Sequence, residues 1–446
     1  MLITGVCTSI FLQSSLYIPA SIILVVICLI ALIFLFINWK KLRPLKRWGT
    51  PQEGLGPKEW ELQMAELSRS HKNVKWKKTN FIVGNYNQIA YKRINKIRSD
   101  ISEATSDVIS LIPSARWLFD NFQMLYREIK KVKTTGTNYL SMPVLKSDEY
   151  RGYPRVYIIA KKMVEISGGY LHENNIILMI QAYQKECPLT ERELAVLPEM
   201  LGLCLLERII EVSKEILHAI HAKTQAEGFV RDKLVEKDGF LDIAPLCVKL
   251  DNIGEDIVFH SHVIYLLKNM SVEDKDIERY ITSHLSDGSR ELTSVKIFKE
   301  EGRKETLLES CIRTPITSLR ELNQINEEEL IEALSVTEQI LSKDPDGVYP
   351  FMDSSSRGLY RSMVEKLAVR HGLEEIDVAR ECLKLAETGM EHIYCPHHVG
   401  AYLFGRGYSV LKASVLNRPA PVLAKDPRRF SGALYFLTHL FFLTGL

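Results

Sequence analysis

The sequence predicts a mainly α, membrane-anchored protein: a cytosolic helical bundle or array between an N-terminal transmembrane helix and the start of a second one. Three observations predict it. Two runs without charged residues, Leu16–Ile37 and Ser431–Leu446, lie near the ends of the chain. Between them, apolar residues recur every three or four positions behind helix-capping residues, and no alternating strand pattern persists. The composition, 46% hydrophobic and 25% charged, is that of a chain with ordinary globular cores.

The first run has 22 uncharged residues, and about 20 apolar residues cross a bilayer. Asn38 and Trp39 stand at its exit, where an indole favours the headgroup region. Lys40, Lys41, Arg43, Lys46 and Arg47 follow, whereas residues 1–15 carry no charge. The positive-inside rule then places the N-terminus outside and the main body in the cytoplasm, at an inner (plasma) membrane. A cleaved signal peptide is the competing reading, but it wants positive charge ahead of a shorter apolar run. The last run follows the charged stretch Lys425–Arg429 and reads as the opening of a truncated second span. The expected organisation is an N-terminal segment 1–39 with its span near 16–38, a basic juxtamembrane linker 40–99, a helical domain 100–424, and the second span from 425 to 446.

Net charge is only +2, yet Lys40–Arg98 holds 15 Lys or Arg against 4 Asp or Glu. A basic block beside an apolar run points to anionic lipid headgroups. Trp48, Trp60 and Trp76 lie among these lysines, a mixture that also suits nucleic acid. The adjacent span favours the headgroup reading, so no nucleic-acid partner is expected. The eight cysteines are scattered without a CxxC, which suits reduced thiols and not a secreted disulfide framework.

Within the body, Pro57 and Lys58–Ser70 mark one short helix. Pro113 and Ser114 precede another, with Leu118, Phe122, Leu125 and Ile129 in one stripe, Lys130, Lys131 and Lys133 loading its end, and Gly136 stopping it. Trp117 belongs to its core face. Thr190 and Glu193 have capping-box spacing ahead of Leu194, Leu197, Leu201 and Leu205, with Pro198 expected to kink the helix. Ser271 is expected to cap Val272–Leu285. Asn326 and Glu329 open a helix with Leu330, Ala333, Leu334 and Ile340 inward. Asp353 or Ser354 caps one that runs to His371 and stops at Gly372, and a last helix spans about Glu374–Glu387. Ile257–Leu267 is apolar throughout and fits helix or strand.

Chemistry-bearing motifs are sparse. Asp344 and Asp346 match a DxD metal and sugar-nucleotide pattern, but Asp-Pro-Asp-Gly between helices is also a turn sequence, and the turn is favoured. His392, Cys395, His397 and His398 are the densest group of soft ligands. They lack the paired spacing of a zinc finger, so they stand only as weak metal candidates and no metal is assigned. His260 and His262 sit two apart with no further ligand. No P-loop, nucleophile elbow or zincin motif occurs, and no catalytic residue is assigned.

Six ordered stretches do resemble a known family. They are Ala115–Phe122 with Arg127-Glu-Ile; Tyr150–Tyr157; Gln181–Gln184 with Pro188–Leu194; Thr317–Arg320; Asp344–Tyr349 with Met352-Asp353 and Tyr360-Arg361; and His398–Tyr402 with Gly405–Gly407. The corresponding family patterns are EWLLDNF, LAGYPRVY, RAYQ with PLTIGELWAV, NSITSLR, DPAGVY with MDF and YR, and HVGYYLIDRG. This resembles the N-terminal region of cyclic β-1,2-glucan synthases, large membrane proteins of glycosyltransferase family 84. The resemblance implies a non-catalytic helical part joined in cis to transferase and phosphorylase-like domains. In such a parent, UDP-glucose and a divalent metal would serve the downstream transferase, with no cofactor in this chain. It places Asp344 and Asp346 in a matched turn, away from the transferase chemistry. Arg155, Tyr157 and Arg320 in the matched blocks are the candidate contacts for β-glucan. Two alternatives stay open: a stand-alone membrane-anchored scaffold, and a carbohydrate-binding or processing domain.

Overall fold

Pro57 opens the first described helix, α1 (Pro57–Ser70), at a position where a proline's fixed φ and missing N–H are tolerated. The computed structural model describes residues 54–72, 75–76, 83–135, 142–144, 153–237, 240–248, 256–285, 293–390, 393 and 395–419. Both apolar runs, with the spans expected there, lie outside the described residues, as does His392. Among the described residues no helix is long and apolar enough to cross a membrane.

The region expected as a linker contains packed structure. Trp60 on α1 is buried, and its Nε1–H donates to the Ile166 carbonyl at 3.2 Å, so Trp60 is a core residue and not a headgroup contact. Lys75–Trp76 (β1) pairs antiparallel with Pro143–Val144 (β2). Helix α2 (Val83–Glu103) crosses the expected boundary at residue 99, and buries the stripe Ala90, Ile94, Ile97 and Ile101.

After the short α3 (Ser106–Ser110), the helix expected behind Pro113 is two helices, α4 (Pro113–Asp120) and α5 (Phe122–Thr135). The break is at Asn121, whose side-chain amide donates to the Trp117 carbonyl at 2.7 Å and competes with the backbone ladder. Leu118, Phe122, Leu125 and Ile129 still form one buried stripe across the break. Trp117 is only half-buried. Gly136 lies outside the described residues.

Helices α6 (Arg155–Ile166) and α7 (Glu173–Gln184) lead to α8 (Glu191–Lys233), the spine of the fold. The capping box is present: Thr190 Oγ1 accepts from the Glu193 N–H, and the Glu193 carboxylate accepts from the Thr190 N–H at 3.1 Å. With 43 residues, α8 is roughly 65 Å long at 1.5 Å per residue. It passes through Pro198 unbroken. A helix apolar on most faces must be surrounded, and α8 packs against α2, α6, α9 (Ile257–Asn269) and α11 (Ser294–Leu322). A small antiparallel hairpin, β3 (Val235–Lys237) and β4 (Phe240–Asp242), follows α8.

The ambiguous Ile257–Leu267 stretch is helical, capped by Asp256. Ser271 does not cap the next helix, α10, which spans Asp274–Leu285. Ser271 has φ +60°, and the Val272 N–H bonds back to the Leu267 carbonyl at 3.1 Å, closing the C-terminus of α9.

Asn326 caps α12 (Glu327–Leu334), and Ser335 both ends it and caps α13 (Val336–Leu341). Leu330 and Leu334 are buried, whereas Ala333 is exposed and Ile340 half-buried. Asp353 caps α14 (Ser354–His371), which stops at the left-handed Gly372 (φ +68°). Helices α15 (Glu375–Thr388), α16 (Gly400–Leu403) and α17 (Tyr408–Val415) complete the body. Residues from α13 to α17 share a core containing Leu341, Tyr349, Val364, Cys382 and Tyr402. The fold is mainly α.

Candidate functional site

Arg155 and Tyr157 sit on the first turn of α6, which Pro154 starts by holding its φ at −60°. Both side chains turn inward. The Arg155 guanidinium donates through Nε to Glu193 Oε1 at 2.8 Å, through Nη2 to Oε2 at 2.5 Å, and to the Pro188 carbonyl at 3.1 Å. Burial works against its charge, but Glu193 outweighs burial and holds the guanidinium above arginine's ordinary range. Glu193 is the capping-box residue, so one carboxylate joins the start of α6 to the start of α8. Tyr157 is buried, and its hydroxyl donates to the Glu207 carboxylate, with both oxygens at 2.9 Å.

Arg320 stands apart from these two, near the C-terminus of α11. It donates to the Asn121 side-chain oxygen, so the α4–α5 break is the acceptor for an arginine 199 residues away. It also lines an open cleft of about 600 Å³ with Met124, Arg127, Glu128, Asn323 and Gln324. Arg320 is thus the candidate sugar contact that lines this cleft.

Asp344 is buried in the turn between α13 and α14. Its Oδ1 accepts from the Val399 N–H at 3.0 Å, and its Oδ2 accepts from the Tyr349 N–H at 3.2 Å and from His398 Nδ1 at 2.7 Å. A carboxylate only accepts, so Nδ1 donates, and Nε2 lies 3.0 Å from the Tyr360 hydroxyl. Burial alone would raise the Asp344 pKa, but His398 and the two backbone N–H groups outweigh it and hold it below the usual value. His397 Nδ1 donates to the Ala386 carbonyl at 3.1 Å, and Cys395 is half-buried. Asp346 is exposed. Among the described residues no three His, Cys, Asp or Glu side chains gather as a metal site. His260 faces the Tyr280 hydroxyl at 2.7 Å, and His262 is buried beside Glu227 at 3.7 Å.

A cluster that sequence reading missed lies where α8 meets α12–α15. Glu338 accepts from Tyr349 (2.7 Å), Arg357 (3.2 Å) and Arg361. Glu332 accepts from Arg357 at 2.6 Å, and Arg192 reaches Glu365 at 2.7 Å. Arg361 Nε lies 3.2 Å from Glu191, which also accepts from Ser335. Glu375 accepts from the Glu191 backbone N–H at 2.9 Å and thereby satisfies the first turn of α8. Carboxylates outnumber guanidinium groups here. Burial first, and like charge beside it, pushes Glu191 up to about 7 and Glu375 up to about 8. Acidic residues far apart in the chain gave no local signal of this cluster.

The chain is 23% identical over 318 residues to the cyclic beta-(1,2)-glucan synthase NdvB of Rhizobium meliloti (strain 1021). The two proteins are distant relatives. The match covers 70% of this chain but 11% of the relative, so the chain spans a small fraction of that protein's length. No family model matches. Three polar links join the stretches that carry the resemblance to such synthases: Asn121–Arg320, Arg155–Glu193 and Asp344–His398. Both partners of each link match a letter of the family patterns.

Proposed function

We propose that this chain is the N-terminal, non-catalytic helical part of a cyclic β-1,2-glucan synthase-like membrane glycosyltransferase. In the parent, a transferase domain in cis polymerises glucose from UDP-glucose, with a divalent ion in that domain. A phosphorylase-like module processes the glucan. This part, held at the cytoplasmic face of an inner membrane, scaffolds and orients those domains. The observation that carries the reading is the commitment of the resembling residues to links inside the fold, as expected of a scaffold retained for its shape.

The test compares the chain alone with the intact gene product in native membranes, both supplied with radiolabelled UDP-glucose. The reading expects β-1,2-linked product from the membranes and none from the chain alone. Membranes that make no such glucan, or a chain that transfers glucose by itself, would overturn it.

One observation favours a second reading. Arg320, Asn323 and Gln324 line the open cleft beside α5, and such donors and acceptors suit sugar hydroxyls. On this reading the chain holds β-glucan there. Titration calorimetry with β-1,2-glucan, in the parent and in Gln324→Ala, checks it: saturable heat lost in the variant supports it, and no heat in the parent removes it.

A further inference from the structure

The seam between α2 and α5 carries a surface that none of the links above uses. Tyr126 on α5 donates to Asn95 on α2 at 2.6 Å, and its ring lies 5.7 Å from that of Tyr91. Phe122 continues the line on α5 at 6.4 Å, and Phe119 on α4 follows at 6.1 Å. The two ends of this ladder are open to solvent, Tyr91 at 51% and Phe119 at 47%. Cations flank it. Lys92 and Lys96 are one helical turn apart on the solvent side of α2, and Arg127 and Lys130 are exposed on α5. Among the described residues, these four make no ion pair. Arg127 and Lys130 also reach the rim of the cleft beside Arg320, where the acidic side chain on this part of α5, Glu128, accepts from Asn323 at 2.8 Å. From Lys72 to Arg98 the chain has no Asp or Glu at all.

We propose that this α2–α5 face docks on anionic lipid headgroups. Exposed aromatic rings amid lysines and arginines match the chemistry of the bilayer interface, where amphipathic rings sit at headgroup depth and cations meet lipid phosphates. The 22-residue uncharged run Leu16–Ile37 in the same chain selects the membrane over other polyanions. Docking would fix the helical body against the bilayer as well as tethering it. The inference rests on the membrane-anchored reading of the chain.

The experiment uses the full chain reconstituted into nanodiscs of phosphatidylcholine alone, or with 30 mol% (roughly a physiological anionic fraction) phosphatidylglycerol. Acetylation rates of individual lysines are read by mass spectrometry. Lys92, Lys96 and Lys130 should label roughly fivefold or more slowly in the anionic discs, and high salt should restore the rate. Lys275 and Lys384, exposed at 73% and 71% on other helices, serve as controls and should not change. A chain that inserts in both discs yet labels equally in both overturns the docking face and leaves the anchor intact. A chain that co-elutes with neither disc overturns both. Protection of the same lysines by an added oligonucleotide, with none from anionic lipid, also overturns the proposal in favour of nucleic acid.

Discussion

Asp344 accepts a hydrogen bond from His398 Nδ1 at 2.7 Å, across 54 residues of chain. That contact closes the turn after α13 onto the loop before α16, and it converts a DxD-like tripeptide and a histidine-rich loop into one structural joint. Because Asp344 also accepts two backbone N–H groups, replacing it strands three donors at once. Asp344→Ala should cost about 2–4 kcal/mol in urea denaturation. Hydrogen exchange should show the loss concentrated at Pro396–Leu403. Exchange unchanged in that loop would mean the joint does not hold it.

Arg155 and Glu193 form a buried pair with 7% and 0% side-chain exposure. Removing one member leaves an unpaired buried charge, so Arg155→Met or Glu193→Leu alone should cost roughly 3–5 kcal/mol. The double variant should recover a large part of that loss. Additive losses in the cycle would show that the two residues do not act on each other.

Gly400 packs so tightly that an added Cβ would lie 2.5 Å from the Tyr360 hydroxyl and 2.6 Å from His398 Nε2. Gly400→Ala should therefore destabilise by about 1–3 kcal/mol. Gly302, inside α11, has open space around its Cβ position. There the change to Ala should stabilise by up to about 1 kcal/mol through helix propensity alone. Thermal melts of the two variants should move in opposite directions.

The carboxylate cluster makes stability depend on pH with a defined sign. Glu191 and Glu375 bind protons more tightly folded, at about 7 and about 8, than unfolded near 4.5. Their contribution is full below the unfolded value and is lost as pH rises through the folded values. Burial lowers His71 and His262 to about 4, which works in the opposite direction below pH 6.5. Stability should thus fall from pH 6.5 to 8 by roughly 1–2 kcal/mol, and Glu375→Gln should flatten that fall. A melting temperature that rises across this window would contradict the cluster's assignment.

Burial raises the Cys204 and Cys382 thiols well above their ordinary range. Under native conditions a thiol reagent should reach half-buried Cys395 long before Cys382, although both lie in the C-terminal part of the body. Peptide mapping after brief alkylation reads the order directly, and equal labelling would show that the body opens readily.

Local features of the fold were legible because they depend on residues a few positions apart. The Thr190–Glu193 capping box, the Asp353 cap and the Gly372 stop stand where capping chemistry puts them. Ile257–Leu267 was undecidable because a segment buried on most sides shows no period, and the sequence cannot say which neighbours surround it. Ser271 misled because a serine suits both an N-cap and, here, a left-handed C-terminal turn. The break at Asn121 turned on a side chain that bonds its own helix and an arginine 199 residues distant. The surroundings of the candidate residues were not legible for the same reason. The partners of Arg155 and Tyr157, Glu193 and Glu207, lie 38 and 50 residues further along the chain, beyond the reach of any local pattern.

The most direct test of the proposed reading, that the resembling residues maintain the scaffold and do not handle sugar, uses the membrane-bound synthase which that reading proposes. Glucan made from UDP-glucose is measured per folded molecule in Arg155→Met, Glu193→Leu and the double variant, with folding scored by protease resistance. The account predicts that output tracks the folded fraction and that the double variant, once folded, stays within about twofold of the parent. A double variant that is fully folded, present at normal abundance and silent in glucan synthesis would contradict it.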